Sequence, residues 1–262
     1  MTYTTVSFSG GKDSTAMLLH MMEIGEHIDE VINVDTGMEF PEMYEHIARV
    51  RKIVEDNGIK FTVLKAEKSY EYYLLEHPYH SEKYGDMLGY GWPGPYIRWC
   101  TKHLKTELIK EYLREHPDII QCVGLAADEQ VRIARGQNKK NRHPLNEWGW
   151  TEAVCLQYCR DLGYDWGGLY DIFKRVSCWC CPLSSMAELR NLYRHRPELW
   201  ARLEDLDRRM AEENHCTRPF KHEYTVADLS RKFAREELAK SQQTDLLSFG
   251  VGGGAMTSEV LA

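Results

Sequence analysis

Six residues near the start of the chain, Ser9-Gly10-Gly11-Lys12-Asp13-Ser14, have the types and order that grip a phosphate. Two glycines let the backbone approach an anion with no side chain in the way. The lysine adds positive charge, and the serines add hydroxyl donors. The run follows a β-prone segment at 4–8 (TTVSF) and precedes a helical pattern whose apolar face includes Ala16, Leu19 and Met22. A strand that turns through glycines into a helix presents unpaired backbone N–H groups and the positive end of the helix dipole. The spacing is neither the mononucleotide loop G-x-x-x-x-G-K-[ST] nor the dinucleotide pattern G-x-G-x-x-G. A second chemical cluster, Cys178-Trp179-Cys180-Cys181-Pro182, packs three thiols into four residues.

The elements that must position these groups read as a repeating strand–helix pattern. Segment 31–34 (VINV) is a second buried strand ending at Asp35-Thr36-Gly37. Pro41 suits a first helical turn, and Met43, Ile47, Val50 and Val54 follow at helical spacing. Segment 61–64 (FTVL) is a third strand. A βαβαβ order within 65 residues predicts an α/β fold with a doubly wound, mostly parallel sheet. Further on, the pattern predicts a helix over 102–113, a strand over 119–125, a loop over 126–150 and a helix over 151–163. Residues 66–98 read as irregular and aromatic-rich, an ordinary packed loop, a lid over a substrate base or a partner surface. Ser185 to Glu188 forms a capping-box pattern, and helices follow over 197–214 and from 225. The expected organisation is a nucleotide-binding domain at 1–181 carrying the cysteine site, a helical region at 182–241, and a flexible tail at 242–262.

Composition limits the classes of function. A hydrophobic content of 43% supports a sizeable core. No stretch approaches a membrane span, and the N-terminus lacks the basic and apolar regions of a secretory signal, so a soluble cytoplasmic protein with no membrane partner is expected. In that compartment eight cysteines suggest metal or thiol chemistry before disulfides. The net charge of −7 argues against a broad grip on nucleic acid. It leaves room for a local nucleic-acid partner at Arg132, Arg135, Lys139, Lys140 and Arg142, although a solvated loop is the plainer reading. Cys122 reads as core, Cys155 and Cys159 as helix packing one turn apart, and Cys216 as a thiol after a helix. A homo-oligomer is compatible with all of this.

The run SGGKDS after an N-terminal strand resembles the PP-loop superfamily, the adenine-nucleotide α-hydrolase-like enzymes. Val34-Asp35-Thr36-Gly37 with Glu39-Phe40-Pro41-Glu42 resembles the D-T-G…P-E-T stretch of the phosphoadenosine-phosphosulfate (PAPS) reductase family. Arg98 to Lys105 (RWCTKHLK) is similar to its R-x-C-C…K segment, and Gly124 to Arg132 (GLAADEQVR) to its G-x-R-x-D-E-S…R segment. His143 to Trp148 (HPLNEW) is similar to its P-L…W segment. The resemblance runs in order over about 1–185. It implies a nucleotide site drawn from Ser7, Ser9, Gly10, Gly11, Lys12, Asp13, Ser14, Asp35, Thr36, Gly37, Gly124, Asp128 and Glu129. Lys12, Asp13 and Arg132 are the expected catalytic residues. Arg98, Lys102, Lys105 and Arg135 are the groups expected to receive substrate oxyanions. At the carboxyl end of a strand, Asp35 would meet a ribose hydroxyl or Mg²⁺, or merely cap a turn. Asp128 and Glu129 would bind Mg²⁺ or orient Arg132.

The resemblance also pairs Cys100 with Cys178, Cys180 and Cys181 as metal ligands. Four thiolates suit tetrahedral Zn²⁺ or an iron–sulfur cluster, and the residues alone leave both open. One branch of the family binds a [4Fe-4S] cluster through Cys-Cys and Cys-x-x-Cys; here the first pair is Cys100 alone and the second site is Cys-x-Cys-Cys. The family's reductive cysteine motif, E-C-G-L-H, does not occur in this sequence. The expected function is therefore Mg·ATP-dependent adenylation coupled to sulfur transfer with a [4Fe-4S] cluster and an unidentified sulfur acceptor or donor. The alternatives are a sulfonucleotide reductase or sulfotransferase, and a non-catalytic nucleotide or redox sensor.

Overall fold

The computed structural model describes residues 3–83, 85–115, 118–135, 140–214 and 219–250. Its framework is built by β-branched and aromatic runs that pair as parallel strands and by amphipathic helices that cover them. Strand β1 (Tyr3–Ser7) leads into helix α1 (Lys12–Glu23), β2 (Glu30–Asp35), α2 (Pro41–Asp56) and β3 (Lys60–Lys65), matching the βαβαβ expectation. Hairpin strands β4 (Pro78–Ser81) and β5 (Gly85–Leu88) follow, then a helix that begins as α3 (Trp99–Thr101), widens into a π-type turn at Lys102–Thr106 and continues as α4 (Glu107–Arg114). Next come β6 (Ile119–Val123), α5 (Gln130–Arg135), β7 (Asn141–Arg142), α6 (Pro144–Glu147), α7 (Glu152–Asp161) and α8 (Leu169–Ile172). Helices α9 (Met186–His195), α10 (Pro197–Asn214) and α11 (Val226–Gly250) complete the described chain.

The main sheet has the order β3-β2-β1-β6-β7, and every pairing in it is parallel. The chain runs outward from β1 to β3 and then crosses back to lay β6 on the other side of β1. In doubly wound folds, crossovers in opposite directions from such a switch point put helices on both faces and leave the ligand crevice outside the carboxyl ends of the flanking strands, here β1 and β6. Buried residues of the sheet and helices form one apolar cluster that extends from Val6 and Phe61 through Trp179 to Trp200, Leu229 and Phe233.

Three expectations need correction. The supposed loop at 126–150 contains α5, β7 and α6; two residues of β7 are too short to show a period, and Pro144 starts α6 at its first turn. The segment at 66–98 contains an antiparallel hairpin and sends Tyr70 and Trp92 into the core. The boundary at 242 falls inside α11, whose backbone continues to Gly250. The Ser185 capping box forms as expected, with Ser185 accepting from the Glu188 N–H and Glu188 accepting from the Ser185 N–H. Among the described residues no helix is long and apolar enough to cross a membrane.

Candidate nucleotide and cysteine site

The phosphate loop occupies the turn from β1 into α1, at the sheet's switch point. Gly10 has φ +81°, and a Cβ there would sit 2.7 Å from Ile47 Cγ1 and 2.8 Å from Met43 Sδ, so both conformation and space demand glycine. On the β6 side, a Cβ on Gly124 would stand 3.0 Å from the Ser14 backbone, so the residue after β6 packs tightly against the first turn of α1. Ser14 Oγ accepts from the Ser9 N–H at 3.2 Å and lies 3.1 Å from Ser9 Oγ. The Ser7 hydroxyl, at the end of β1, accepts from Gln121 Nε2 on β6 at 2.7 Å.

Lys12 is buried, and its ammonium lies 2.8 Å from Asp13 and 2.7 Å from Glu152 at the start of α7. Burial pulls its pKa down, but the contacts with Asp13 and Glu152 outweigh this and the net shift is upward. Burial, aided by Glu152 and Glu129, raises the Asp13 carboxyl in spite of Lys12. One cation is thus shared among an excess of carboxylates. Asp128 accepts from the Glu152 N–H at 3.1 Å, which ties α7 to the end of β6. Glu129 accepts from the Ala126 N–H and is ion-paired with Arg132. The structure therefore brings Lys12, Asp13, Gly124, Asp128 and Glu129 to one mouth, with Arg132 held to Glu129.

Beneath the loop lies a support that the sequence reading missed. Thr15 Oγ1 is 2.9 Å from His46 Nε2, and His46 packs on Trp166 with ring centroids 4.6 Å apart. Burial lowers the His46 pKa to about 4, so the ring is neutral near pH 7. Buried histidine on an apolar helix face carries no spacing signal, which is why sequence inspection passed over it.

One strand away, Asp35 caps its own turn: it accepts from the Gly37 N–H at 2.8 Å and from the Tyr44 hydroxyl at 2.9 Å, with Lys65 at 3.3 Å. These contacts close the turn after β2. Thr36 and Glu39 face the cysteines instead. Thr36 Oγ1 is 3.7 Å from Cys178 Sγ, and the Cys178 thiol donates to Glu39 Oε1 at 3.3 Å. The Trp179 N–H donates to Met38 O at 3.1 Å, which pins the cysteine segment to the end of β2.

Cys100 joins this cluster from α3. Burial pushes its thiol up, with Cys181 adding to the shift. Burial likewise raises Cys178, next to Glu39, and Cys180, next to Cys178 and Cys181. Tyr70 Oη is buried without a conventional hydrogen-bond partner, and its proton is held by burial and by the neighbouring sulfurs of Cys180, Cys100 and Cys178. Lys105 belongs here as well. Burial lowers its pKa, but Cys178, Glu39, Cys100 and Cys181 raise it on balance, and Glu39 lies 3.9 Å away. Among the described residues no three His, Cys, Asp or Glu side chains stand at metal-holding geometry. What the chain supplies is a cluster of four thiols lined by the Thr36 and Tyr70 hydroxyls, the Glu39 carboxylate and the Lys105 ammonium. That donor set fits a soft, sulfur-ligated centre, without a finished coordination shell.

Arg98 is exposed, Lys102 leans on Glu107 at 3.8 Å, and the Arg135 side chain lies outside the described residues. In the basic run, Arg142 is clamped by Glu26 and Glu147, Lys139 lies outside the described residues, and so does Cys216. Cys122, Cys155 and Cys159 are buried in the core, as expected.

The chain is 29% identical over 220 residues to an uncharacterised protein, MJ0066, of Methanocaldococcus jannaschii, which covers 80% of this chain and 42% of that protein. It is also 29% identical over 213 residues to a second uncharacterised protein of the same organism, MJ0973, covering 78% of this chain and 47% of that one. The chain thus spans less than half the length of these curated relatives. Among solved structures, a phosphoadenylyl-sulfate reductase from Candida auris is 16% identical, with a TM-score of 0.47 over 68% of this chain and 82% of that one. The U34-tRNA thiolase NcsA from Methanococcus maripaludis, solved with its [4Fe-4S] cluster, is 16% identical, with a TM-score of 0.43 over 80% of this chain and 72% of that one. The model of the phosphoadenosine phosphosulfate reductase domain matches residues 4–184, spanning the phosphate loop, the parallel sheet and all four clustered cysteines, and the chain belongs to that family.

Proposed function

We propose that this chain binds Mg·ATP with its pyrophosphate on the loop at 8–14 and uses it to activate an acceptor oxygen as an adenylate, ahead of sulfur transfer. The observation that carries this reading is the acidic surround of Lys12, whose ammonium is shared by Asp13 and Glu152 with Glu129 nearby. A ligand entering such a mouth is favoured when it brings its own divalent cation, as a nucleoside triphosphate does. A bare sulfate or 3′-phosphate would instead want free cations. Lys102 and Lys105 are engaged by Glu107 and Glu39, and Lys105 faces the thiols.

The chemistry then follows from the loop. The acceptor oxygen forms a bond to the α-phosphorus, the bond from that phosphorus to the bridging oxygen breaks, and pyrophosphate departs with the electron pair. Lys12 exchanges a carboxylate for the phosphates, and the loop amides at the start of α1 face the charge that builds on the leaving group. Cys100, Cys178, Cys180 and Cys181 would hold the [4Fe-4S] cluster, which when bound offers iron sites able to carry sulfide or electrons. Lys105 contributes positive charge beside those thiolates, and Tyr70 a buried hydroxyl.

The test is a pair of anaerobic calorimetric titrations, one with Mg·ATP and one with PAPS. Clear preference for Mg·ATP is expected. Preference for PAPS would overturn the adenylation reading and restore a sulfonucleotide reductase.

A further inference from the structure

The segment after α7 turns back onto the phosphate loop through an unusual backbone. Trp166 (φ +52°), Gly167 (φ +59°) and Gly168 (φ +78°) are three consecutive residues in the left-handed region. Two are glycines, but Trp166 is a bulky L-residue there, a conformation that persists only when its surroundings over-determine it. Space restricts the turn too, since a Cβ on Gly167 would meet Glu42 Cγ at 2.9 Å. The result is specific: Trp166 Nε1–H donates to the Gly10 carbonyl at 2.8 Å. One helical turn on, the Lys12 backbone N–H donates to Tyr170 Oη at 2.9 Å. The two rings meet edge to face with centroids 4.8 Å apart.

This places a phenol where a phosphate oxygen should go. The Lys12 N–H is one of the amides that a strand–glycine–helix turn offers to an anion. Tyr170 Oη also lies 3.4 Å from where a Gly11 Cβ would stand, so it hugs the loop itself. A phenol that accepts one hydrogen bond still has its own O–H to donate. Among the described residues that O–H donates no hydrogen bond, and the phenol's one partner is the Lys12 N–H. Burial and the nearby Asp13 and Glu152 carboxylates raise its pKa, so the donor is retained at neutral pH.

We propose that Tyr170 is a phosphate-binding residue: its O–H donates to a pyrophosphate oxygen that also takes the Lys12 N–H, while Trp166 locks the loop from the Gly10 side. Without a nucleotide, the phenol keeps the Lys12 amide satisfied and the loop in its binding shape. The inference rests on the nucleotide-binding reading above and adds a residue from outside the loop motif.

The experiment compares wild type with Tyr170→Phe by calorimetry, using inorganic pyrophosphate, Mg·ATP and adenosine as ligands. Affinity for pyrophosphate and for Mg·ATP should fall about tenfold, the worth of one hydrogen bond to a charged group, with adenosine unchanged. Equal or tighter pyrophosphate binding by Tyr170→Phe would overturn the proposal and leave Tyr170 as packing or a plug. Wild type that binds neither Mg·ATP nor pyrophosphate would instead overturn the nucleotide reading, and this inference with it. The Lys12 amide NMR resonance in wild type gives a check that does not depend on the variant's folding. It should shift on addition of pyrophosphate, and an unmoved resonance would overturn the assignment.

Discussion

The phosphate loop and the cysteine site lie one strand apart at the same end of the sheet, yet they are made in opposite ways. The loop is one contiguous run whose backbone does the work, and its side chains mostly serve one another: Ser9 with Ser14, Lys12 with Asp13. The cysteine site gathers Cys100 from the start of α3, three cysteines from beyond α8, Thr36 and Glu39 from the end of β2, and Tyr70 from the segment before the hairpin. A backbone site is robust to side-chain change but intolerant at glycines. A site assembled from distant segments depends on each of its members.

That contrast can be broken experimentally. The largest effect is expected at Cys180, the most enclosed of the four thiols. Cys180→Ser should abolish iron and sulfide content after anaerobic reconstitution while Mg·ATP affinity stays within about twofold. A full complement of iron in that variant would remove Cys180 from the ligand set.

Next comes His46, which supports the loop from beneath. The folded chain holds it neutral to about pH 4, whereas the unfolded chain takes up its proton near 6.5. Between these values the unfolded state binds more protons, so stability is fully present above 6.5 and is lost as pH falls towards 4. The slope is at most about 1.4 kcal/mol per pH unit. Denaturant midpoints measured across this range should flatten in His46→Gln, and an unchanged slope would assign the acid sensitivity elsewhere.

A somewhat smaller loss is expected at Lys12. Lys12→Met should weaken Mg·ATP about thirtyfold, or ~2 kcal/mol, as one charge-assisted contact is removed. Iron content should not change, and calorimetry with metal analysis on the same sample reads both. The smallest effect sharpens the boundary between the two sites. Lys105→Met should alter nucleotide affinity by less than about twofold, yet slow alkylation of Cys178, whose thiolate the ammonium favours. A large loss of nucleotide affinity would return Lys105 to the oxyanion role that its motif suggested.

Much of the framework was legible because it is local. Strands β1, β2, β3 and β6 lie within one or two residues of their expected bounds, since alternating or continuous β-branched runs between turn residues are written in the chain. The short elements α5, β7 and α6 were missed because two to six residues hold too little periodicity to register. Of the candidate site, Lys12, Asp13, Asp128 and Glu129 do meet. Ser7 and Asp35 at the ends of their strands, and Lys105 in the helix after α3, have other partners: Gln121, the turn at Gly37, and the cysteines. Motif position fixes where a Cα lies along a strand or helix, and the neighbours packed around it decide where the side chain points.

The sequence by itself determined the parallel α/β framework, the glycine loop at its switch point and the family, because these depend on short-range backbone preferences and on hydrophobic period. Only the tertiary structure decided that Tyr170 and Trp166 reach the loop and that His46 lies under Thr15. It likewise decided that four cysteines share one space with Lys105 and Tyr70. Those contacts join residues that are mostly far apart in the chain, through a left-handed turn and strand crossovers. Their geometry is set by the packing of the whole core, and no local pattern of residues encodes it.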